Sequence, residues 1–285
     1  MTWEETIIKI RKSGDFKELV EKAYFDENLE LNVCRFGKSD EFKETLKFIK
    51  QHASNAKSIL DIGCGNGISS INFALKGFNV TAVEPDSSDT VGAGAIKKLK
   101  ETYKLENLDI YEAFAENINF ASNSFDLVYI RQAMHHAFDL EKFIKECVRV
   151  LKPSGILLTI RDHVVYNEKD KAWFLESHPL HKFYGGENAY TSMEYKNAIK
   201  NAGAKVEKEL KYYDSVINYF PSTKEEIDNL KKVNELNHKK KLTSKLGKIA
   251  DNWFVWNLYR LLSNYNPLNE VFIPGRMYSY IAIKK

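Results

Sequence analysis

The segment ILDIGCGNG, residues 59–67, constrains this chain more than any other. A short apolar run ends in a carboxylate, Asp61, and Gly63, Gly65 and Gly67 then alternate with other residues before the helix-like ISSINFALK. Glycine reaches positive φ and carries no Cβ, so a turn built this way reverses sharply and lets a ligand approach the backbone. Strand, glycine turn and helix together open an α/β unit.

The same alternation continues as far as Ile160. Strands are expected at 58–63, 79–84, 108–113, 126–130 and 155–160, each short and rich in Val, Ile, Leu or Tyr. ISSINFALK stops at Gly77, and DLEKFIKECVRVL stops before Lys152-Pro153-Ser154-Gly155, where a turn into the next strand is expected. A parallel sheet covered by helices follows.

Residues 1–57 read as a helical cap on the cofactor cleft, with Phe42, Leu46 and Ile49 along one face. Beyond Ile160 comes an irregular stretch holding HPLHKFYGGENAY, then a helix over MEYKNAIKNAGA and a strand around KVEKELKYYDSV. Residues 221–269 are charged and helical in character and end in Trp253, Phe254, Trp256 and Tyr259, expected in a core or an interface. RMYSYIAIKK closes as an alternating strand. The organisation expected is a cap of 1–57, a core of 58–220 and 270–285, and a helical insertion of 221–269 acting as a lid or a homodimer contact.

The spacing D-x-G-x-G-x-G differs from the GxGxxG turn that seats a pyrophosphate on a helix N-terminus. A carboxylate before the turn repels a pyrophosphate but accepts hydrogen bonds from the ammonium of an amino-acid cofactor. Glu84 ends the second strand, 17 residues after Gly67, where a carboxylate can take both hydroxyls of a ribose. The turn favours S-adenosylmethionine (SAM) over NAD, and Glu84 completes the signal.

ILDIGCGNG, VTAVEP, AENINFASNSFDLVYIRQAMHH and RVLKPSG resemble the ordered motifs of class I SAM-dependent methyltransferases of the UbiE-like type. The resemblance is close over 58–160. It implies a Rossmann-like three-layer α/β/α sandwich with a seven-stranded, mostly parallel sheet in the order 3-2-1-4-5-7-6 and an antiparallel last strand. It also implies that Asp61, Gly63, Cys64, Gly65 and Gly67 line the methionine part of SAM, that Glu84 and Pro85 meet the ribose, and that Ala115 and Glu116 meet the adenine. Phe114 stands where the family usually has Asp. Arg131 falls where relatives contact the methionine end of the cofactor, and His135 and His136 fall near the acceptor.

Methyl transfer is an in-line displacement, and a hydroxyl or amine acceptor also needs a base. His136 is the candidate, with helix capping or packing as its structural alternative. Arg161, Asp162 and His163 follow the fifth strand at the edge where α/β ligand sites collect. His181, Tyr184, Glu187 and Asn188 form, with His135 and His163, the expected substrate-binding set, suited to a hydroxyl-rich, sugar-like molecule. His178 and His181 are i, i+3, but Pro179 lies between them and no third ligand is evident, so no metal is expected.

Apolar residues at 44% and charged residues at 28% are ordinary for a soluble domain. The charge of +3 is dispersed apart from Lys239, Lys240 and Lys241, and the acidic-Pro-Pro-aromatic tetrad of nucleic-acid amine methyltransferases is replaced by Ile130, Arg131, Gln132 and Ala133. A small-molecule acceptor is therefore expected, methylated on oxygen or nitrogen, with neither nucleic acid nor membrane as partner. The opening residues lack an uninterrupted apolar stretch, so a cytoplasmic location is expected. A non-catalytic SAM-binding protein and a nucleotide-linked oxidoreductase are the rival readings.

Overall fold

The computed structural model describes all residues except 248, 250, 251 and 264. Four helices come first: α1 (Trp3–Lys12), α2 (Lys17–Lys22), α3 (Leu29–Lys38) and α4 (Asp40–His52). The alternating region follows as β1 (Ser58–Ile62), α5 (Ile68–Leu75), β2 (Asn79–Val83), α6 (Ala93–Tyr103), β3 (Leu108–Tyr111), β4 (Phe125–Arg131), α7 (Leu140–Val150) and β5 (Leu151–Val165). The chain continues through α8 (Glu168–Ser177), α9 (His181–Tyr184), the two-residue β6 (Tyr190–Thr191), α10 (Ser192–Asn201), β7 (Ala204–Leu210) and α11 (Val216–Tyr219). It ends with α12 (Lys224–Leu246), α13 (Trp253–Leu262) and β8 (Met277–Lys284).

The sheet runs β3-β2-β1-β4-β5-β8-β7, with β6 paired to the far end of β5. Only β8 runs against its neighbours. Leaving β6 aside, this is the expected order. Two apolar clusters, one on each side of the sheet, explain it: Ile59, Tyr129 and Leu158 pack towards α5 and α4, while Leu60, Val128 and Leu157 pack towards α7 and α10. Alternate residues of one strand thus enter opposite layers.

The largest boundary difference from expectation is in the fifth strand. The fifth strand starts at Leu151 and reaches Val165, so Lys152 to Gly155 and Arg161 to His163 lie within it. Pairing with β8 continues beyond the expected end, at Asp162 with Tyr278 and His163 with Met277. The register shifts between Thr159 and Asp162, where Arg161 has φ +61°. A bulge of this kind re-aims side chains at a sheet edge, here the edge that carries the site.

The N-terminal helices are tied to that edge by charge. Glu41, fully buried on α4, receives Nε of Arg131 at 2.6 Å and Nη2 at 3.0 Å, and Arg161 Nη1 lies 3.8 Å away. Arg161 also donates to the carbonyls of Ile217 (2.6 Å) and Phe220 (2.9 Å), which draws in α11. Burial opposes ionisation of Glu41, but the two guanidinium groups prevail and hold its carboxyl below the ordinary range.

The aromatic helix, expected in a core or an interface, is not part of the core of the chain. Trp253 and Phe254 are mostly exposed, while Trp256 and Tyr259 lie against His238 of α12. Among the described residues, no helix is long and apolar enough to cross a membrane.

Glu41→Ala leaves two buried guanidinium groups without their carboxylate. Urea denaturation is expected to show a loss of about 3–5 kcal/mol.

Candidate active site

The strand ends β1, β2, β4 and β5 deliver the expected residues to one edge of the sheet. Gly63 and Gly67 show why the turn after β1 uses glycine. Their φ angles are +63° and +79°, and a Cβ on Gly63 would stand 2.5 Å from that of Ala133, one on Gly67 2.8 Å from Ile96. The turn is therefore pressed against the loop after β4 that carries His135 and His136.

Asp61 is fully buried beneath this turn. The hydroxyls of Ser69 and Ser70 both donate to its Oδ2 at 2.6 Å, while Oδ1 has no donor. Burial raises its carboxyl pKa to about 6 against the pull of the two serines. At the end of β2, Glu84 accepts the Gly65 amide at 2.7 Å on Oε2 and the Asp86 amide at 3.0 Å on Oε1. Burial pushes its carboxyl up to about 7, and the two amides oppose that rise.

These groups fit the cofactor that the resemblance implies. Asp61 keeps a buried acceptor without a donor, as an ammonium or its bound water requires. The Glu84 carboxylate offers roughly four lone-pair sites, of which two are taken by amides, leaving two for vicinal hydroxyls. Cys64 is buried with its thiol on the Val83 carbonyl, and burial lifts its pKa well above the ordinary range. Pro85 is exposed beside Glu84. After β3, Ala115 is buried and Glu116 accepts the Phe138 amide at 2.9 Å, while Phe114 and Phe138 meet edge to face with both rings exposed. Arg131 has its guanidinium on Glu41, over the rings of Tyr24 and Phe36.

The N-terminal segment reaches this half of the site. Asn66 of the glycine turn donates to the Tyr24 carbonyl at 2.8 Å, and Asn72 of α5 donates to that of Val33 at 2.9 Å. Ile7 and Ile10 of α1 form an apolar cluster with Val91 and Leu180, and Trp3 meets Tyr184 edge to face.

Histidines crowd the other half. His135 is buried, with Nδ1 3.0 Å from Asp162 Oδ1 and Nε2 3.7 Å from Glu187. Burial disfavours its charge, but the two carboxylates outweigh that and raise its pKa to about 9. His136 donates from Nδ1 to the Gly186 carbonyl at 3.1 Å and is more open. Partial burial and the neighbouring His135 charge lower its pKa to about 4, so it stands neutral at pH 7. His163 is buried with Nδ1 on the Gly275 carbonyl, and burial followed by His135 keeps it neutral. Burial also lowers His178, 3.7 Å from Glu187.

Of the expected acceptor set, His135, His163 and Glu187 come together. Tyr184 turns towards Trp3, and His181 begins α9, where its Nδ1 has no hydrogen-bond partner. Asn188 is half-buried beside Glu187. Glu41, Ser69 and Ser70 belong to the same edge without having been expected there. A signal for Glu41 existed, since it shares a helical face with Thr45 and Phe48.

Residues 60–159 match the model of a methyltransferase domain. The ubiquinone/menaquinone biosynthesis C-methyltransferase UbiE of Rickettsia felis is 28% identical over 149 residues, 51% of this chain and 55% of that protein. The chain spans about half the length of the curated relatives it matches. Among solved structures, geranyl diphosphate C-methyltransferase of Streptomyces coelicolor, crystallised with S-adenosyl-L-homocysteine (SAH), aligns at TM-score 0.57 and 14% identity, covering 85% of this chain and 76% of that one. The [4+2]-cyclase SpnF aligns at TM-score 0.54 and 17% identity, covering 85% and 80%. The fold is thus shared by proteins named for methyl transfer and for cyclisation.

The protonation of Glu84 has a thermodynamic sign. Its pKa rises from an ordinary 4.5 to about 7 on folding, so between these values the folded chain binds more protons than the unfolded one. Stability then falls as pH rises through that window. Thermal melts of Glu84→Gln, compared with the parent, are expected to show a smaller decline between pH 4.5 and 7.

Proposed function

We propose that this chain, whose residues 60–159 match the model of a methyltransferase domain, transfers a methyl group from SAM to an oxygen or nitrogen of a small, hydroxyl-bearing molecule. The observation that carries the reading is the pairing of two buried carboxylates across the glycine turn. Asp61 has an undonated oxygen, and Glu84 is locked to the Gly65 amide. A dinucleotide's pyrophosphate on that turn would meet the Asp61 carboxylate.

Asp61 and the turn from Gly63 to Gly67 would hold the amino-acid end of SAM, Glu84 the ribose, and Ala115 with Glu116 the adenine side. When bound, SAM supplies an electrophilic methyl on a sulfonium. The chain has to align a nucleophile, exclude water and take up a proton. His136 suits the last task in one respect. A carbonyl can only accept, so the Gly186 contact places the His136 N–H on Nδ1 and leaves a lone pair on Nε2. The polar turn of Gly185, Gly186, Glu187 and Asn188 stands beside it, which favours an acceptor rich in hydrogen-bonding groups.

Isothermal titration with SAM and SAH is expected to give one site per chain, and NAD none. Glu84→Ala, which removes two charge-assisted acceptors, should weaken SAM at least about tenfold. Tight NAD binding with no SAM binding would sink the reading. For the base, SAH release is followed across a panel of hydroxyl and amine acceptors. His136→Ala should retain SAM affinity and lose about 10²–10⁴ in kcat; near-normal turnover would return His136 to a packing role.

A further inference from the structure

The histidine cluster has a feature that base catalysis does not require. Gly275 O and Gly186 O can only accept, so they take N–H groups from Nδ1 of His163 (2.6 Å) and of His136 (3.1 Å). The Asp162 carboxylate does the same for Nδ1 of His135. His136 and His163 are thereby left with a lone pair on Nε2, and His135 offers one there once a metal ion displaces its proton. Nε2 of His135 and Nε2 of His136 lie 3.7 and 3.9 Å from the same oxygen of Glu187. On its other oxygen, His178 Nδ1 stands 3.7 Å away with no hydrogen-bond partner.

Among the described residues, histidines are the only ion-pair partners of Glu187. One ring nitrogen each of His135 and His163 and one oxygen of Glu187 lie within 4.8 Å of one another. A divalent ion bound among these groups would replace the Nε2 proton of His135 that otherwise faces Glu187, and would meet the lone pairs of the neutral rings beside it.

We propose that His135, His163 and Glu187 bind one divalent transition-metal ion, with His136 and His178 at its rim. Two imidazoles and one carboxylate suit zinc, iron or nickel, whereas magnesium and calcium take oxygen ligands. Ligand atoms 2.0–2.2 Å from an ion stand roughly 3–3.6 Å apart, so side-chain shifts of about an ångström close the present set.

The surroundings are those of a ligating histidine. Carboxylate and carbonyl groups fix the far nitrogen of each ring, as second-shell partners do. The Gly275 carbonyl is itself held in place. The neighbouring Arg276, fully buried, pairs through both Nη atoms with Asp170 at 2.5 and 2.8 Å and donates to the carbonyls of Glu270 and Ile273.

The three ligands come from the loop after β4, from β5 and from the turn between α9 and β6. A bound ion would tie that turn to the sheet edge. On the methyl-transfer reading, on which this extension alone rests, the ion would hold an oxygen of the acceptor beside the glycine turn.

The test uses the full chain stripped with chelator and titrated with Zn²⁺ and Co²⁺ in the absence of SAM. One ion per chain is expected, with visible d–d absorption for Co²⁺, a higher melting temperature with Zn²⁺, and no response to Mg²⁺. Glu187→Gln should weaken Zn²⁺ at least about tenfold, and Asp162→Asn, which releases the His135 ring, about 10–100-fold. His238→Ala, in the helical region 221–269, should leave binding unchanged. Circular dichroism reports whether each variant folds, and if none does, the Co²⁺ spectrum of the parent decides alone. Absence of Zn²⁺ uptake by the parent, or parental affinity in folded Glu187→Gln, overturns the site. SAM affinity of the metal-free chain is a separate readout, so failure of the methyl-transfer reading leaves this result intact.

Discussion

The edge of the sheet that carries the site is organised around one buried carboxylate. Glu41 reaches from α4 to Arg131 at the end of β4, in a two-point contact, and approaches Arg161 at the bulge of β5. Two guanidinium groups at adjacent strand ends would repel each other in a place with little water. The carboxylate between them removes that repulsion and fixes where α4 sits. Through Arg161 it also fixes α11, whose carbonyls complete the guanidinium's hydrogen bonds. The N-terminal helices are thus joined to the strand ends by charge as well as by the apolar contacts of Phe36 and Phe42.

Two electrostatic regimes then lie side by side. On the β1 and β2 side, burial acts on isolated carboxylates and lifts Asp61 and Glu84 towards neutral pH. On the β4 and β5 side, Asp162 and Glu187 face imidazoles, and His135 takes the positive charge at the expense of His136 and His163. The first regime suits a cationic ligand with hydroxyls, and the second suits the uptake of a proton or the binding of a cation. The contact of Gly63 with Ala133 brings the two within a few residues of each other.

Much of the fold was legible because its signals are local. Asp61, the glycine spacing and Glu84 in register one strand later are properties of short segments, and the parallel direction of the first five strands follows from alternation, while their order came from the resemblance. The end of β5 was not legible, since it depends on pairing with Tyr278 and Met277 more than a hundred residues away. The sequence left the aromatic helix in a core or an interface, because an apolar helix looks the same in sequence whether its cover is this chain or another, and in the single chain Trp253 and Phe254 are exposed. His135 and Glu187 were each named, but their mutual approach depends on how the irregular stretch after α8 folds back.

The sequence by itself determined the strand-turn-helix unit, the acid at the end of the second strand and the alternating sheet, because each depends on backbone preference and periodicity over a few residues. The tertiary structure alone decided the partners of Arg131 and the gathering of His135, His163, His178 and Glu187. Those are matters of charge and lone-pair direction across distant segments. Such interactions leave no periodic trace in a chain, and they exist only once the β4 and β5 ends, the turn before β6 and the start of β8 share one edge.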